Sequence, residues 1–291
     1  MNSDIETLDK ALQAAGYIAD PALTTTLHLA DRLQRPVLLE GEAGVGKTAV
    51  AKALAQSRDT ELVRLQCFEG IDLAAAAYEG NYARQLLSIK LHEHDSDALT
   101  EADIFDEQYL LERPLLKAIR QAKPPVLLID EVDRADEAFE AFLLEVLSEF
   151  QISVPEIGTL TARSIPCVIL TSNATRELSD ALRRRCLYHY IDYPDRNKEL
   201  AILQQRLPDL DTRVLTEIVA FVHQVRQLNL AKRPGIAESL DWATALTGLG
   251  VDELAREPDT VLATLGCLLK TSDDLEQVDN SQLDQLLSGH A

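Results

Sequence analysis

The stretch Gly41-Glu42-Ala43-Gly44-Val45-Gly46-Lys47-Thr48 constrains the fold more than any other part of the chain. It fits the pattern G-x-x-x-x-G-K-[ST]. The apolar run Val37-Leu38-Leu39 precedes it, and the strong helix former Ala49-Val50-Ala51-Lys52-Ala53-Leu54-Ala55 follows it. A strand, a glycine loop and a helix start therefore stand in the order that a phosphate-binding turn needs. Glycines let the backbone wrap closely round a phosphate chain and point N–H groups at it. The helix N-terminus adds partial positive charge. On this reading Gly41, Glu42, Ala43, Gly44, Val45 and Gly46 cradle the phosphates of a nucleotide. Lys47 reaches the β- and γ-phosphates and Thr48 ligates Mg²⁺. The bland alternative is a glycine-rich turn that binds nothing. A dinucleotide fold is the other rival, but its G-x-G-x-x-G spacing is absent.

With 291 residues, 46% of them apolar, the chain is long enough for a large core or two domains. No segment is long and apolar enough to span a bilayer, so no stable membrane insertion is expected. The start, Met1-Asn2-Ser3-Asp4-Ile5-Glu6, is acidic and lacks a signal-peptide core. Cys67, Cys167, Cys186 and Cys267 lie far apart with no C-x-x-C pair, which argues against a zinc site and for a reduced, cytoplasmic protein. The formal net charge of −20 makes nucleic acid a poor partner, because that binding neutralises phosphates with Lys and Arg. Protein partners are expected instead.

Apolar periodicity predicts helices at 4–15 and 21–34, the first stopped by Gly16. A buried strand at 36–40, the glycine loop, a helix at 47–57 and a strand at 61–67 follow. Residues 82–92 and 107–122 read as helices. Between them, 93–107 carries seven acids and no Lys or Arg, and reads as an acidic surface insertion. Its His92-Glu93-His94-Asp95 run has the composition of a metal cluster, but such runs are usually solvated. Further strands are expected at 125–131, 166–173 and 187–193, with a helix at 139–147. A hairpin is expected within 150–165, turning at Pro155 and Gly158. Strands alternating with helices imply a three-layer α/β sandwich with a mainly parallel sheet. After Pro194 the strand signal stops and 197–287 reads as helices broken by Pro208, Pro234-Gly235 and Pro258. The expected domains are thus 1–194 and an all-helical 195–291.

Asp130-Glu131 ends the apolar strand Val126-Leu127-Leu128-Ile129. Ligands of open α/β sheets sit beyond the carboxyl ends of the strands. Asp130 there would hold Mg²⁺, directly or through water, and Glu131 would orient and polarise an attacking water. The alternative is a pair of helix N-cap acids. Asn173 ends the next strand, where an amide can contact the γ-phosphate and the water; its alternative is turn chemistry. Arg183-Arg184-Arg185 precedes the last strand. A triple arginine is commonly a solvated helix face, but here it can carry an arginine finger, which implies a head-to-tail ring if it acts on a neighbouring subunit.

Together these motifs resemble an AAA+ ATPase. Asp130-Glu131-Val132-Asp133-Arg134-Ala135-Asp136 and the hairpin after it resemble the MoxR family. The runs Leu65-Gln66-Cys67-Phe68-Glu69-Gly70-Ile71-Asp72 and Tyr78-Glu79-Gly80-Asn81-Tyr82 resemble its CoxD-like branch, as do residues 183–194 and 232–242. The resemblance implies a P-loop NTPase sheet in the order 5-1-4-3-2 followed by a small helical lid. It also implies ATP and Mg²⁺ as cofactors and a hexameric ring with nucleotide between subunits. Asn173 is then sensor 1, Arg185 the finger and Arg184 a helper. The implied role is a chaperone-like ATPase that matures a metalloenzyme of the molybdenum hydroxylase or carbon monoxide dehydrogenase type, together with a von Willebrand A-domain protein. Relatives of this kind commonly place a sensor 2 arginine where this chain has Glu238, with Lys232 and Arg233 as the cations nearby. Residues 78–82 read equally as a pore border or as sheet-edge packing. A small-molecule kinase would not need Asp130-Glu131 beside Asn173 or the hairpin. A nucleotide-switched scaffold would not need the full catalytic set.

Overall fold

The structure, a computed structural model, describes residues 2–92, 106–155 and 157–288. Most of the acidic stretch, with Glu93, His94 and Asp95, lies outside the described residues. By their internal contacts the residues form two units, each with its own apolar core.

The first unit comprises Met1–Leu8, Pro21–Glu40 and Val50–Tyr190. Its centre is a five-stranded sheet of β1 (Val37–Glu40), β2 (Leu62–Gln66), β3 (Val126–Asp130), β4 (Cys167–Ser172) and β5 (Leu187–Tyr190). The spatial order is β2-β3-β4-β1-β5, with every pairing parallel, which is the expected 5-1-4-3-2 read from the other edge. β1 pairs with β4 through Val37 opposite Ile169 and with β5 through Val37 opposite Leu187. Every residue of β3 is buried, as a strand covered on both faces should be. Leu38, Leu127, Ile129 and Leu170 share one core with Leu115, Ile119, Leu143 and Val146 from helices Pro114–Arg120 and Glu137–Glu149.

Two features flank this sheet. Gln151–Val154 and Gly158–Thr161 form the expected antiparallel hairpin, with Ile152 opposite Leu160. Residues 107–122 do not form the single helix that their periodicity predicts. A 3₁₀ turn, Glu107–Tyr109, leads into the short strand Leu110–Glu112, and only Pro114–Arg120 is helical. The cause is Pro114, whose ring forces Arg113 into an extended conformation (φ −99°, ψ 171°) and starts the helix after it. Leu110–Glu112 pairs antiparallel with Tyr78–Gly80, so residues 78–80 belong to a separate two-stranded sheet.

The second unit comprises Asp9–Asp20, Gly41–Ala49 and Ile191–Ala291. Beyond Ile191 its described secondary structure is helical: Arg196–Arg206, Thr212–Val225, Ile236–Gly248, Pro258–Thr264, Ser272–Glu276 and Asn280–Ser288, with short 3₁₀ turns. Asp195, Asp211 and Thr271 cap three of these helices by accepting from Lys198 N, Arg213 N and Asp274 N. Pro258 opens a helix, since proline at the first helical position lacks only an N–H that would be unpaired there anyway. The core closes on Trp242, fully buried and 4.9 Å from the Phe221 ring. Trp242 Nε1 donates to Thr264 Oγ1 at 2.9 Å. Among the described residues no helix is long and apolar enough to cross a membrane.

Candidate active site

The second unit holds the glycine loop. Lys47 begins helix Lys47–Ser57 and is 7% exposed. Its Nζ donates to Gly41 O and Glu42 O, both at 2.7 Å, so the ammonium is folded back over the loop. At Gly41 and Gly44 the loop leaves little space for a side chain. A Cβ on Gly41 would stand 2.2 Å from Ile191 O. Gly44, at φ +81°, meets Gly235 so closely that a Cβ on Gly235 would stand 2.8 Å from Gly44 Cα, C and O. Ile236 N donates to Gly44 O at 3.0 Å, so the first turn of helix Ile236–Gly248 is bonded directly to the loop.

Glu238, at the place where the resemblance expects an arginine, serves its own helix. Its Oε2 accepts Gly235 N at 2.9 Å, the reciprocal half of a helix N-terminal cap. Lys232 and Arg233 are exposed, and Lys232 N donates to the buried Asp274 carboxylate at 3.1 Å. The turn before the helix is held from behind. Arg226 Nε donates to Pro234 O at 2.8 Å, and its guanidinium forks onto Glu199 at 2.5 and 2.8 Å. Ser239 Oγ donates to Glu199 Oε1 at 2.7 Å. Gly235→Ala is therefore expected to introduce about 1–3 kcal/mol of overpacking and to weaken ATP binding roughly tenfold. Titration with a fluorescent ATP analogue reads this directly, and unchanged affinity would mean that turn and loop are independent.

Against Gly44, Val45 and Gly46 lies a mostly apolar cavity of about 260 Å³, walled by Tyr17, Ile18, Ile191, Ile236 and Leu240 among others. Burial, together with Asp20, pushes the Tyr17 hydroxyl well above its ordinary range, so it stays protonated. A flat heterocycle suits such walls, and the bare amides beside them suit phosphate. The residues present therefore fit a nucleotide.

The first unit holds the carboxylates. Asp130, at the end of β3, is 3% exposed. Its Oδ2 accepts from Arg64 Nε at 3.0 Å and Nη2 at 2.6 Å, and its Oδ1 from Thr171 Oγ1 at 2.6 Å. Glu131 follows in the left-handed region (φ 55°, ψ 50°) and makes no side-chain cap bond. Its Oε2 pairs instead with Arg134 Nε at 2.8 Å, and its N–H donates to Thr171 Oγ1 at 2.9 Å. Neither acid caps a helix; Asp136 caps Glu137–Glu149 by accepting Phe139 N. A non-glycine residue in this region costs on the order of 1–3 kcal/mol and is concentrated at functional sites.

Asn173 follows β4, its backbone N donating to Asp133 Oδ2 at 3.2 Å. Burial raises the Asp133 pKa, but hydrogen bonds from the Thr175 hydroxyl and from the Thr175 and Asn173 amides outweigh it and hold the carboxyl below its ordinary range. The neighbouring Cys67 thiol is pushed up to about 12 by burial and by Asp130, Asp133 and Glu131, so it stays protonated and unreactive. Arg184 and Arg185 end helix Asp180–Arg185, capped by Ser179. Arg35 fixes that end by donating Nε to Arg185 O at 3.0 Å and Nη2 to Arg184 O. The Arg184 side chain is exposed and Arg185 is half-buried; neither is ion-paired among the described residues.

The sequence reading missed Arg64, Thr171, the Glu199–Arg226 pair and the Tyr17–Ile18 wall. Asp133 had a visible signal, being the third acid in Asp130-Glu131-Val132-Asp133. The others carry none, since each acts through a partner that is distant in sequence.

A family model described as ATPase family associated with various cellular activities (AAA) matches residues 37–192. The gas vesicle ATPase GvpN of Haloferax mediterranei is 28% identical over 240 residues, covering 76% of this chain and 68% of that protein. GvpN2 of Halobacterium salinarum is 29% identical over 209 residues, covering 67% and 58%. Among solved structures, the Thermotoga maritima RuvB Holliday junction branch migration motor is 19% identical, with a TM-score of 0.45, over 84% of this chain and 66% of that one. The motifs, the sheet order and the family match over more than half of the sequence agree: the chain belongs to the AAA family and is an ATPase that uses ATP and Mg²⁺.

Proposed function

We propose that the chain is a ring-forming ATPase of the MoxR type, CoxD-like branch, whose hydrolysis remodels or matures a protein complex. Residues 1–194 act as its nucleotide-binding domain and 195–291 as its lid. Gly41 to Gly46 and Lys47 hold the triphosphate, and Thr48 and Asp130 hold Mg²⁺, which when bound neutralises phosphate charge. Glu131 steers the attacking water and takes up its proton. Asn173 contacts the γ-phosphate and that water, and Arg185, helped by Arg184, reaches the site of the neighbouring subunit. The observation that carries this reading is that β3 ends at Asp130, with Glu131 next, beside a β4 that Asn173 follows, with β1, which runs straight into the glycine loop, on the far side of β4.

The proposed assembly is a cytoplasmic hexamer working with a von Willebrand A-domain protein on a metalloenzyme client. The hairpin Gln151–Val154/Gly158–Thr161 before β4, and the surplus of acids over bases, support a protein rather than a nucleic-acid client. A second reading, favoured by the gas vesicle ATPases among the relatives, is that the client is a gas vesicle component. Glu131→Gln in saturating ATP should trap the client on the assembly. Capture of a metalloenzyme with a von Willebrand A-domain partner supports the first reading; capture of a gas vesicle protein replaces it with the second.

The finger makes a separate expectation. Arg185→Ala should lower turnover by about 10³–10⁵-fold while nucleotide affinity survives. In mixed assemblies with a Glu131→Gln protein, some activity should return, because an intact water-steering site can meet an intact arginine. Full turnover of a dilute, demonstrably monomeric sample would exclude a ring.

A further inference from the structure

We propose that the Thr171 hydroxyl is a positioning group for the hydrolytic carboxylates. It joins the two acids through one oxygen. Thr171 lies on β4, 1% exposed. Its Oγ1 is 2.6 Å from Asp130 Oδ1 and 2.9 Å from Glu131 N. The proton inventory fixes the direction of both bonds. A backbone N–H can only donate, so the hydroxyl accepts from Glu131 and gives its own single proton to the Asp130 carboxylate. Asp130 is thereby held as an acceptor while the main chain of Glu131 is held as a donor.

The backbone makes this bond consequential. Glu131 sits at φ 55°, a conformation that persists only where the surroundings over-determine it. Its carbonyl is tied to Arg134 N at 3.0 Å and its N–H to Thr171. The Arg134 guanidinium that pairs with its carboxylate is 57% exposed and makes a weak, screened restraint. Likewise, the other oxygen of Asp130 is held by Arg64, whose side chain is 50% exposed and can exchange its partner for water. Thr171 is a buried restraint shared by both residues. Without it, the Glu131 N–H and one Asp130 oxygen lose a partner at a site with little water, and the left-handed turn loses an anchor. The Glu131 carboxylate, one side chain beyond that turn, then samples a wider arc.

This rests on the reading of Glu131 as the group that steers water. Thr171→Val preserves shape and removes the hydroxyl, Thr171→Ser preserves the hydroxyl and removes a methyl, and Thr171→Ala guards against a misfit valine. In the full-length protein, assembled and saturated with Mg²⁺ and ATP, Val and Ala are expected to lower kcat by about 10–100-fold, as misplacement of a reacting group by about an ångström does. KM for ATP should stay within about threefold, and Ser should retain most of the turnover. Combined with Glu131→Gln, Thr171→Val should cost less than it does in the parent protein, because one of the two carboxylates it positions is gone. Thermal melts run in parallel identify a purely structural role. Equal loss of Tm for Val and Ser, with kcat unchanged below the melting range, would overturn the proposal. If Glu131→Gln alone is fully active, the assignment of Glu131 fails; if that variant is dead and Thr171→Val turns over normally, the Thr171 proposal fails by itself.

Discussion

Glu131→Gln is expected to lower ATP turnover by about 10²–10⁴-fold, the usual contribution of a positioned general base. The amide matches the carboxylate in size and leaves the main chain untouched. The Glu131 N–H keeps its bond to Thr171, and the left-handed turn keeps its shape. What is lost is the ability to take a proton from water, together with the ion pair to Arg134. That pair is exposed on the arginine side, so its removal should hardly alter stability. ATP affinity should therefore remain near that of the parent protein, since Lys47 and the loop amides are unchanged. Phosphate release under saturating ATP, measured beside equilibrium binding, separates the two quantities. Turnover within a few-fold of the parent would remove Glu131 from the chemistry.

The second large effect is on stability. Glu199 is fully buried, and its carboxylate is shared by Arg226, Ser239 and His223. Glu199→Ala leaves the Arg226 guanidinium, 7% exposed, with no counter-charge, and breaking one side of a buried pair typically costs about 3–5 kcal/mol. Arg226 also carries Pro234 O and lies 5.0 Å from the centre of the Tyr193 ring, so the turn that meets Gly44 should loosen with it. The chain has one tryptophan, Trp242, in the core of the same unit, so its fluorescence reports this unit's unfolding. A fall of the urea midpoint by roughly 1–3 M is expected for a loss of this size. Replacing both partners by apolar residues, Glu199→Leu with Arg226→Met, should recover much of it, because no lone charge remains. A Glu199→Ala midpoint equal to the parent's would show that the network contributes nothing.

The parts of the fold that follow from local pattern were legible. Val126 to Ile129 is an unbroken apolar run because β3 is covered on both faces, and that run identified the strand. The glycine loop was legible because its spacing is dictated by close approach of the backbone, and Gly41 and Gly44 do meet other main chain closely. The order of the strands came from family resemblance, since pairing between distant runs leaves no periodic trace. Residues 107–113 were misjudged because apolar spacing outweighed Pro114, although a proline fixes where a helix can begin. Arg64 and Asp130 lie 66 positions apart, and Arg226 and Glu199 lie 27 apart. Each pair acquires its meaning only once the strands or helices are laid side by side. Glu238 was noticed for what it was not; its own use, in capping Gly235, needed the coordinates.

The direct bond from Ile236 N to Gly44 O carries a last consequence. A latch built from main-chain dipoles offers dissolved ions no formal charge to shield. Rising ionic strength will screen charges more than about 10 Å apart at 0.1 M salt, and leave this bond as tight as before. In brine as in dilute buffer, helix Ile236–Gly248 should feel movement of the glycine loop through the backbone itself.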